Sequence, residues 1–275
     1  MKGMAMAEAR TAEFGIIGGS GLYEMLDNPE ELDMDTEYGK PSDLISLGKI
    51  SGKDVAFIPR HGRKHTITPQ NIPYRANIEA LNKLGVKRII ATSAVGSLNP
   101  AFIPGDFVFP DQFINMTSGR QDTYYDKDRV AHVSTSDPYC TQMAFVESKQ
   151  ADFANLKYHD KATVVVVNGP RFSTRAESTF FKSIGAKIIN MTQYPEVTLA
   201  RERGICYSCI AIITDFDAGV EEELGIKPVE YKDVSAKFKE NMPKLKSFIS
   251  TVIGSVPEEK KCSCGNSLEN AFVNV

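Results

Sequence analysis

The stretch Asn168-Gly169-Pro170-Arg171-Phe172-Ser173-Thr174-Arg175-Ala176-Glu177-Ser178 joins a predicted buried strand to a predicted helix. The strand, 162–167, holds four consecutive valines and ends at a Gly-Pro pair. The Thr-Arg-Ala-Glu sequence is a capping box, so we expect a helix over 175–184. Phe172 and Ser173 would then lie at the carboxyl end of a strand, where open α/β sheets bind ligands. An ordinary strand-to-helix turn would explain the stretch alone equally well.

Similar strand and helix signals alternate along the whole 275-residue chain. Alternation of this kind predicts an α/β fold whose mainly parallel sheet is covered by helices on both faces. Without a linker-like stretch, we expect a single domain, with a flexible leader at 1–12 and a tail at 256–275. The other clear signals are a first strand (13–17), a hairpin (44–50 and 55–59), and a C-terminal helix (230–253) kinked or broken at Pro243.

Composition argues against several classes of protein. The chain is 42% hydrophobic and 24% charged, which is typical of a globular protein whose core needs no disulfides. Its formal net charge is −3 and it has no Lys/Arg block, so neither nucleic acid nor a membrane surface is an expected partner. The N-terminal residues lack a signal-peptide pattern, and no apolar run is long enough to span a bilayer. We therefore expect a soluble cytoplasmic protein.

Six polar or aromatic residues share one position, directly after a predicted strand. Hydroxyls, glycine N–H groups and an arginine that converge there suit a phosphate, since arginine can contact phosphate through two N–H groups. An aromatic ring and a carboxylate beside them suit a planar base. These six residues are Ser20, Arg60, Ser93, Phe172, Thr192 and Asp215.

Two of these neighbourhoods allow other interpretations. The turn Gly18-Gly19-Ser20-Gly21 resembles a dinucleotide-binding loop, but Glu24 stands where its third glycine belongs, which disfavours an oxidoreductase. His61 and His65 follow Arg60, but no nearby acidic or cysteine cluster supports a metal site, so a solvated basic loop is the alternative. The long segment 111–137 is expected to bind something or to lie at an interface.

Seven motifs, in one order along the chain, resemble those of 5′-methylthioadenosine phosphorylases of the nucleoside phosphorylase family, most closely the archaeal type. The resemblance runs from about residue 15 to 217 and more loosely through the last helix. The motifs are Gly18-Gly19-Ser20-Gly21-Leu22, Pro59-Arg60-His61-Gly62-Arg63-Lys64-His65, 71–77, 93–98, 169–178, Asn190-Met191-Thr192 with Pro195-Glu196-Val197, and Thr214-Asp215-Phe216-Asp217.

The resemblance implies a nucleoside phosphorylase-type fold with a central mixed β-sheet flanked by α-helices. It implies inorganic phosphate as co-substrate, no organic cofactor, no metal, and a homotrimer or a dimer of trimers. By position, it assigns phosphate binding to Ser20, Arg60, His61, Ser93, Ala94 and Thr192; the ribose to Met191; the purine to Phe172, Ser173, Asp215 and Asp217; and the 5′ pocket to His65 and to Val229 or Tyr231. It also implies that His132 reaches the substrate pocket of a neighbouring subunit.

The implied reaction is phosphorolysis of S-methyl-5′-thioadenosine to adenine and 5-methylthioribose 1-phosphate. The leaving purine becomes basic at N7, and a protonated Asp215 can supply a proton there. Burial and the nearby Asp217 should raise the pKa of Asp215. In isolation, Asp215-Phe216-Asp217 would instead suit a pair of turn-capping residues.

Three departures from the family's motifs leave alternatives open. Asn168 stands where the family usually has Glu, Gln193-Tyr194 replaces a small or aliphatic pair, and 218–229 does not align cleanly. A phosphorylase for methylthioinosine or other 6-oxopurine nucleosides is therefore the alternative enzyme. A nucleoside-binding sensor without turnover is the alternative from a different class.

The cysteines give two further expectations. Cys206 and Cys209 lie three apart on a predicted strand, so their side chains point to opposite faces and cannot easily share a metal or a disulfide. We therefore expect them in the core. Cys262-Ser263-Cys264 in the tail is similar to a Cys-x-Cys of thermophilic archaeal relatives, and a disulfide and an exposed dithiol are both compatible with it.

Overall fold

The computed structural model describes residues 10–19 and 21–273, apart from the side chain of Tyr23. Nine strands and six α-helices alternate through these residues. The strands are β1 (Phe14–Gly18), β2 (Asp27–Leu32), β3 (Ile45–Ile50), β4 (Lys53–Pro59), β5 (Arg88–Ser97), β6 (Phe107–Met116), β7 (Tyr158–Val167), β8 (Ile188–Asn190) and β9 (Cys206–Phe216). The helices are α1 (Tyr74–Lys83), α2 (Thr141–Phe153), α3 (Arg175–Ser183), α4 (Gln193–Glu202), α5 (Ala218–Leu224) and α6 (Tyr231–Ser255).

The strands form one sheet in the order β2-β3-β4-β1-β5-β8-β7-β6-β9, and β9 also pairs with β5. The last five strands of this order therefore close into a ring. Strands β4, β1, β5 and β9 run in one direction, whereas β8 is antiparallel to β5, and β7 and β6 run with β8. The central mixed sheet is confirmed. The mainly parallel sheet predicted from alternation is also confirmed, because the two longest pairings, β5–β9 and β6–β7, are parallel, although β8, β7 and β6 run against β5.

Apolar side chains pack on both faces of this sheet. Helix α6 shows how the sequence directs this packing, because its buried residues Leu245, Phe248, Ile249 and Val252 recur at helical spacing. Each such side chain stabilises the fold by about 1.5–3 kcal/mol when fully buried. Both Cys206 and Cys209 are buried, but in different core clusters, so the prediction that they point to opposite faces of their strand is confirmed.

The predicted elements agree with the structure except at their ends. The hairpin β3–β4 and the helix α3 are confirmed, the latter with its capping box between Thr174 and Glu177. Three segments predicted as loops continue their strands instead, namely 93–97 in β5, 111–116 in β6 and 214–216 in β9. Strand β2 and helix α5 were not predicted. Helix α6 continues through Pro243, so a break there is wrong.

Both predicted terminal extensions contact the rest of the chain where they are described. Residues 1–9 of the leader lie outside the described residues, but Ala12 is buried and its N–H donates to the Leu84 carbonyl at 2.9 Å. In the tail, Cys264 and Ala271 are buried, and Phe272 forms a β-bridge with Ala131. None of the helices in the described ranges is long and apolar enough to cross a membrane.

Candidate active site

Arg60 lies just beyond β4, almost completely buried, and most of its donors are already used. Its Nε and Nη2 donate to the two carboxylate oxygens of Glu196 at 2.8 and 2.7 Å. Its Nη1 donates to the Thr92 carbonyl at 2.9 Å, and Nη2 also donates to the Ile17 carbonyl at 3.3 Å. Arginine has five N–H donors, so one remains for another acceptor. The two-point contact that we expected Arg60 to make with phosphate is made with Glu196 instead.

Glu196 was part of a motif in the sequence, but its role there was not predicted. It is fully buried in α4, and it also accepts a hydrogen bond from the Tyr207 hydroxyl at 2.8 Å. Burial alone would lower the pKa of Arg60, but the charge of Glu196 outweighs burial and raises it. The guanidinium therefore stays charged, and its charge is balanced within the protein.

Asn190, the last residue of β8, brings two predicted phosphate residues together. Its side-chain amide donates to the Ser93 hydroxyl and, at 3.4 Å, to the Thr192 hydroxyl. Its Oδ1 accepts from the backbone N–H groups of Thr192 and Gln193 at 2.7 and 2.9 Å. The arrangement joins β5 to the start of α4 and brings the Ser93 and Thr192 hydroxyls close together. Arg60 lies beside them, because it bonds the carbonyls of Thr92 in β5 and Ile17 in β1.

His61 lies beside Arg60, but its ring is not a positive charge that could attract an anion. Its Nδ1 lies 2.8 Å from the Ile67 carbonyl, which can only accept, so Nδ1 carries the proton and Nε2 is an acceptor. Burial, helped by the charge of Arg60 and opposed by that hydrogen bond, lowers the pKa of His61 to about 4. The ring is therefore neutral near pH 7. Since a neutral ring with this tautomer cannot donate from Nε2, His61 would hold an anion through its backbone N–H.

A β-bulge at the end of β9 positions the two aspartates. The pairing of β5 with β9 shifts between Val95 and Gly96, so that Gly96 lies opposite Asp215 instead of Thr214. Bulges re-aim side chains next to active sites. At Gly96, a Cβ atom would lie 3.1 Å from Asp215 Oδ2 and 2.9 Å from the side chain of Ile189, so a larger residue would crowd the aspartate.

The environment of Asp215 favours its protonated form. Desolvation raises the pKa of Asp215 to about 7; the Thr214 hydroxyl, 2.6 Å from Oδ1, opposes the rise, and the charges of Asp217 and Glu221 reinforce it. Desolvation also raises the pKa of Asp217. The raised pKa expected for Asp215 from burial and a second carboxylate is present in the structure.

Asp217 faces hydroxyls that have no well-formed partner. The Ser178 and Ser173 hydroxyls are close enough to oppose the rise in its pKa. Within the described chain, however, both hydroxyls and Asp217 Oδ2 are buried without a hydrogen bond that meets normal geometry. Buried polar atoms are normally satisfied, so this cluster suits a ligand that offers both donors and acceptors.

Arg120 holds the loop that carries Phe172, and its role was not predicted beyond the expectation that the long segment around it would bind something. Its guanidinium donates to the carbonyls of Met191, Asn168 and Val167 at 2.9, 3.3 and 3.4 Å, and to that of Tyr194. The loops after β7 and β8 are thereby fixed against each other. Phe172 is 41% exposed at the edge of this region.

Met191 and Gly169 show how closely those two loops approach. Gly169 has a φ of +66°, and a Cβ there would lie only 2.3 Å from Met191 Sδ. Glycine is therefore required both for the backbone conformation and for the contact.

Some predicted site residues belong neither to the group around Asn190 nor to the group around Asp215. Ser20 lies outside the described residues. His65 stacks on His61 with ring centres 4.6 Å apart, but it is exposed. His132 is exposed, and its N–H donates to the Ala271 carbonyl at 2.8 Å, so within this chain it lies against the C-terminal segment. Val229 donates from its N–H to Glu221 at 2.6 Å, and Tyr231 is 65% exposed.

Two of the departures from the family pattern have structural explanations. Gln193 is fully buried and accepts from the Tyr139 hydroxyl, and the Tyr194 hydroxyl donates to Asp122 at 2.5 Å. Asn168 accepts from the N–H of Ser118 at 3.0 Å. These three side chains contact other parts of the chain and not the two aspartates, so they give little reason to expect a changed choice of base.

Comparisons with known proteins agree with this geometry. A model of the phosphorylase superfamily matches residues 13–254. The S-methyl-5′-thioadenosine phosphorylase of Thermofilum pendens is 48% identical over 263 residues, which cover 95% of this chain and 98% of that protein. The solved structure of a methylthioadenosine phosphorylase from an antarctic soil metagenomic library has a TM-score of 0.89 and 41% identity, covering 96% of this chain and 93% of that one.

The enzyme from Schistosoma mansoni has also been solved with ligands. Its complex with adenine has a TM-score of 0.86 and 34% identity. A mutant in complex with methylthioadenosine has a TM-score of 0.85 and 33% identity. In both comparisons the match covers 91% of this chain and 93% of the other. At this identity and coverage, the family is established: this chain belongs to the phosphorylase superfamily.

Proposed function

We propose that this protein catalyses phosphorolysis of S-methyl-5′-thioadenosine, releasing adenine and 5-methylthioribose 1-phosphate. The observation that carries the proposal is the position of two different clusters along β5. Ser93 belongs to the cluster with Arg60 and Asn190, and Gly96 lies opposite Asp215. Three residues of extended strand span roughly 10 Å. That separation suits a substrate whose phosphate and base lie on either side of a pentose.

The cluster around Asn190 is the proposed phosphate site. The hydroxyls of Ser93 and Thr192, the remaining N–H of Arg60, and the backbone of His61 and Ala94 would hold the anion, together with Ser20. Because Glu196 already balances the charge of Arg60, most of the binding would come from hydrogen bonds and positioning. Phosphate held below the sugar would stabilise positive charge that develops at C1′ and would be aligned to attack it.

We predict that Asn190→Ala raises KM for phosphate about tenfold with a smaller change in KM for the nucleoside. The variant removes the donor that orients the Ser93 and Thr192 hydroxyls. Two neutral hydrogen bonds contribute about 1–3 kcal/mol together, and 1.4 kcal/mol corresponds to tenfold. Initial rates over a phosphate titration check this, with Asn168→Ala as a control outside the cluster. Equal increases in both KM values would contradict a specific role in holding phosphate.

The cluster around Asp215 is the proposed base site. A protonated Asp215 would donate to purine N7, and its other oxygen would accept from the adenine amino group. The purine would form hydrogen bonds with the unpaired polar atoms of Asp217, Ser173 and Ser178. Phe172 would cover the face of the purine ring. Met191 would line the ribose, with His65 and the start of α6 near the 5′ substituent.

A panel of four nucleosides tests the choice of substrate. Adenosine, methylthioadenosine, inosine and methylthioinosine are compared by kcat/KM at saturating phosphate. The proposal expects methylthioadenosine to react fastest and both 6-oxopurines to react slowly, because a carboxyl that accepts from an amino group is mismatched to O6. A preference for methylthioinosine would establish the alternative enzyme, and binding of all four without turnover would indicate a sensor.

Assembly and location form a second part of the proposal. His132 would reach the substrate pocket of a neighbouring subunit in a homotrimer or a dimer of trimers, in a cytoplasmic enzyme that needs no organic cofactor. We predict that activity requires the oligomer, since His132 lies outside the site of its own chain. Sedimentation with activity measured on each species checks this. A fully active monomer would contradict it.

A further inference from the structure

Four of the five cysteines meet at one place, far from the proposed active site. The sulfur atoms of Cys140, Cys206, Cys262 and Cys264 all lie within 4.8 Å of one another. None of the cysteines is disulfide-bonded, and Cys206 Sγ lies 3.4 Å from Cys262 Sγ. The sequence did not predict this cluster, because its members come from three distant segments. Of the two possibilities left open for the tail, a disulfide and an exposed dithiol, the exposed dithiol is wrong, since Cys264 is buried and Cys262 is partly buried.

We propose that these four cysteines form a tetrathiolate site for a structural Zn²⁺ ion. Zinc prefers four tetrahedral ligands, and a Zn–S distance of about 2.3 Å places neighbouring sulfurs about 3.8 Å apart. Six sulfur pairs, all within 4.8 Å, match a tetrahedron with only small movements. Soft thiolate ligands select zinc over magnesium or calcium. The Cys-x-Cys spacing in the tail is shorter than the usual spacing in zinc sites, but the other two ligands come from rigid elements.

The surroundings of the cluster suit bound thiolates. Cys140 is the N-cap of the thirteen-residue helix α2, where the helix dipole favours negative charge. Lys260 lies close enough to Cys206 for its positive charge to act on that sulfur. Four thiolates and one Zn²⁺ carry a net charge of −2, which both features would partly balance.

Hydrogen bonds hold the tail in the position that the site requires. Gln142 on α2 donates to the Glu259 carbonyl at 2.9 Å and accepts from the N–H of Lys261 at 3.0 Å. Gly204 lies two residues before Cys206, and Gly265 directly follows Cys264. They approach so closely that a Cβ on Gly204 would lie 3.3 Å from the Gly265 carbonyl oxygen. Zinc would therefore bind an existing arrangement and join the tail to α2 and β9.

The role of this ion would be stability and not catalysis. Cys206 begins β9 and Asp215 lies nine residues along it, roughly 30 Å away at about 3.3 Å per residue. The site therefore does not depend on the proposed reaction. It revises the expectation of no metal, which came from the resemblance alone, but it leaves the proposed active site without one.

Metal analysis of the whole protein tests the proposal. The protein is purified with reductant and without chelator, loaded with Zn²⁺ and desalted. We expect about one zinc per chain in the wild type and in Cys209→Ala. Cys209 is the matched control, because it lies on the same strand with its side chain on the opposite face. Cys262→Ser and Cys264→Ser should each bring zinc to the background level.

A second measurement needs no variant. Metal-free, reduced wild type is titrated with Co²⁺, which should give intense thiolate charge-transfer absorption and the visible bands of a four-coordinate ion, saturating at about one equivalent. In a separate sample purified without reductant, thiols are counted after unfolding in the presence of chelator. Saturable binding with five free thiols supports the site. Absence of stoichiometric Zn²⁺ and Co²⁺ binding would overturn it, as would a thiol count below five in protein that holds no metal, which would indicate disulfides.

Discussion

Replacing Asp215 by Asn should lower kcat/KM for methylthioadenosine by about 10²-fold or more, and should affect 6-oxopurine nucleosides less. The amide has nearly the shape of the carboxyl and can still donate a hydrogen bond to N7, but it cannot transfer a proton to the leaving base. Its N–H can also donate to O6 of a 6-oxopurine, which a carboxylate would repel. Measuring kcat/KM for methylthioadenosine and methylthioinosine with the wild type and with Asp215→Asn separates the role in catalysis from the role in choosing the base.

The pH dependence gives a sharper form of this prediction. Because the pKa of Asp215 is raised to about 7, the carboxyl is protonated below that pH and loses its proton above it. The advantage of wild type over Asp215→Asn should therefore be constant at low pH and fall by up to about tenfold per unit above pH 7. Phosphate ionises in this range too, but equally for both proteins, so it cancels in the ratio. A ratio independent of pH would contradict the role of Asp215 as the acid. An equal loss of kcat/KM on both substrates would contradict its role in selecting the base.

The second large effect concerns stability. Glu196→Gln should lower the free energy of unfolding by about 3–5 kcal/mol, because it leaves the charge of a buried arginine without its partner. Both side chains are almost completely buried, and their bidentate contact is 2.7–2.8 Å long. Arg60→Ala would create the reverse problem, a buried carboxylate without its arginine, so its effect on phosphate could not be separated from its effect on folding.

Urea unfolding with and without phosphate measures this effect. Saturating phosphate should stabilise Glu196→Gln more than wild type, because an anion near Arg60 then replaces the missing charge. Glu240→Gln is the control: it breaks an exposed pair with Lys237 and should cost less than about 1 kcal/mol. A loss at Glu196 as small as that at Glu240 would show that the buried pair does not organise the site.

The sequence predicted those parts of the fold that depend on local signals. The capping box of Thr174 and the turn between β3 and β4 are decided within a few residues, and both are confirmed. The predicted ends of the strands were less accurate. The bulge that places Asp215 opposite Gly96 arises from pairing between two strands more than 100 residues apart, which local patterns do not encode.

The supporting residues of the site were missed for the same reason. Asn190, Glu196 and Arg120 act by bonding groups from distant segments, so nothing in their own neighbourhoods distinguishes them from ordinary polar residues. Two signals were present: Glu196 is the charged residue in the first turn of α4, and Asn190 ends a buried strand. The cysteine cluster shows the same limit, because Cys140, Cys206 and the tail meet only in the folded chain.

Release of adenine from methylthioadenosine, followed with and without phosphate, tests the central claim most directly. We predict that free adenine forms only when phosphate is present, and that one equivalent of 5-methylthioribose 1-phosphate accompanies each adenine. Asp215→Asn, assayed in parallel at pH 7, should release adenine about 10²-fold more slowly. Adenine release at the same rate without phosphate would make the protein a hydrolase, and tight binding without release under either condition would leave it a nucleoside-binding protein; either result would contradict the phosphorolysis proposed here.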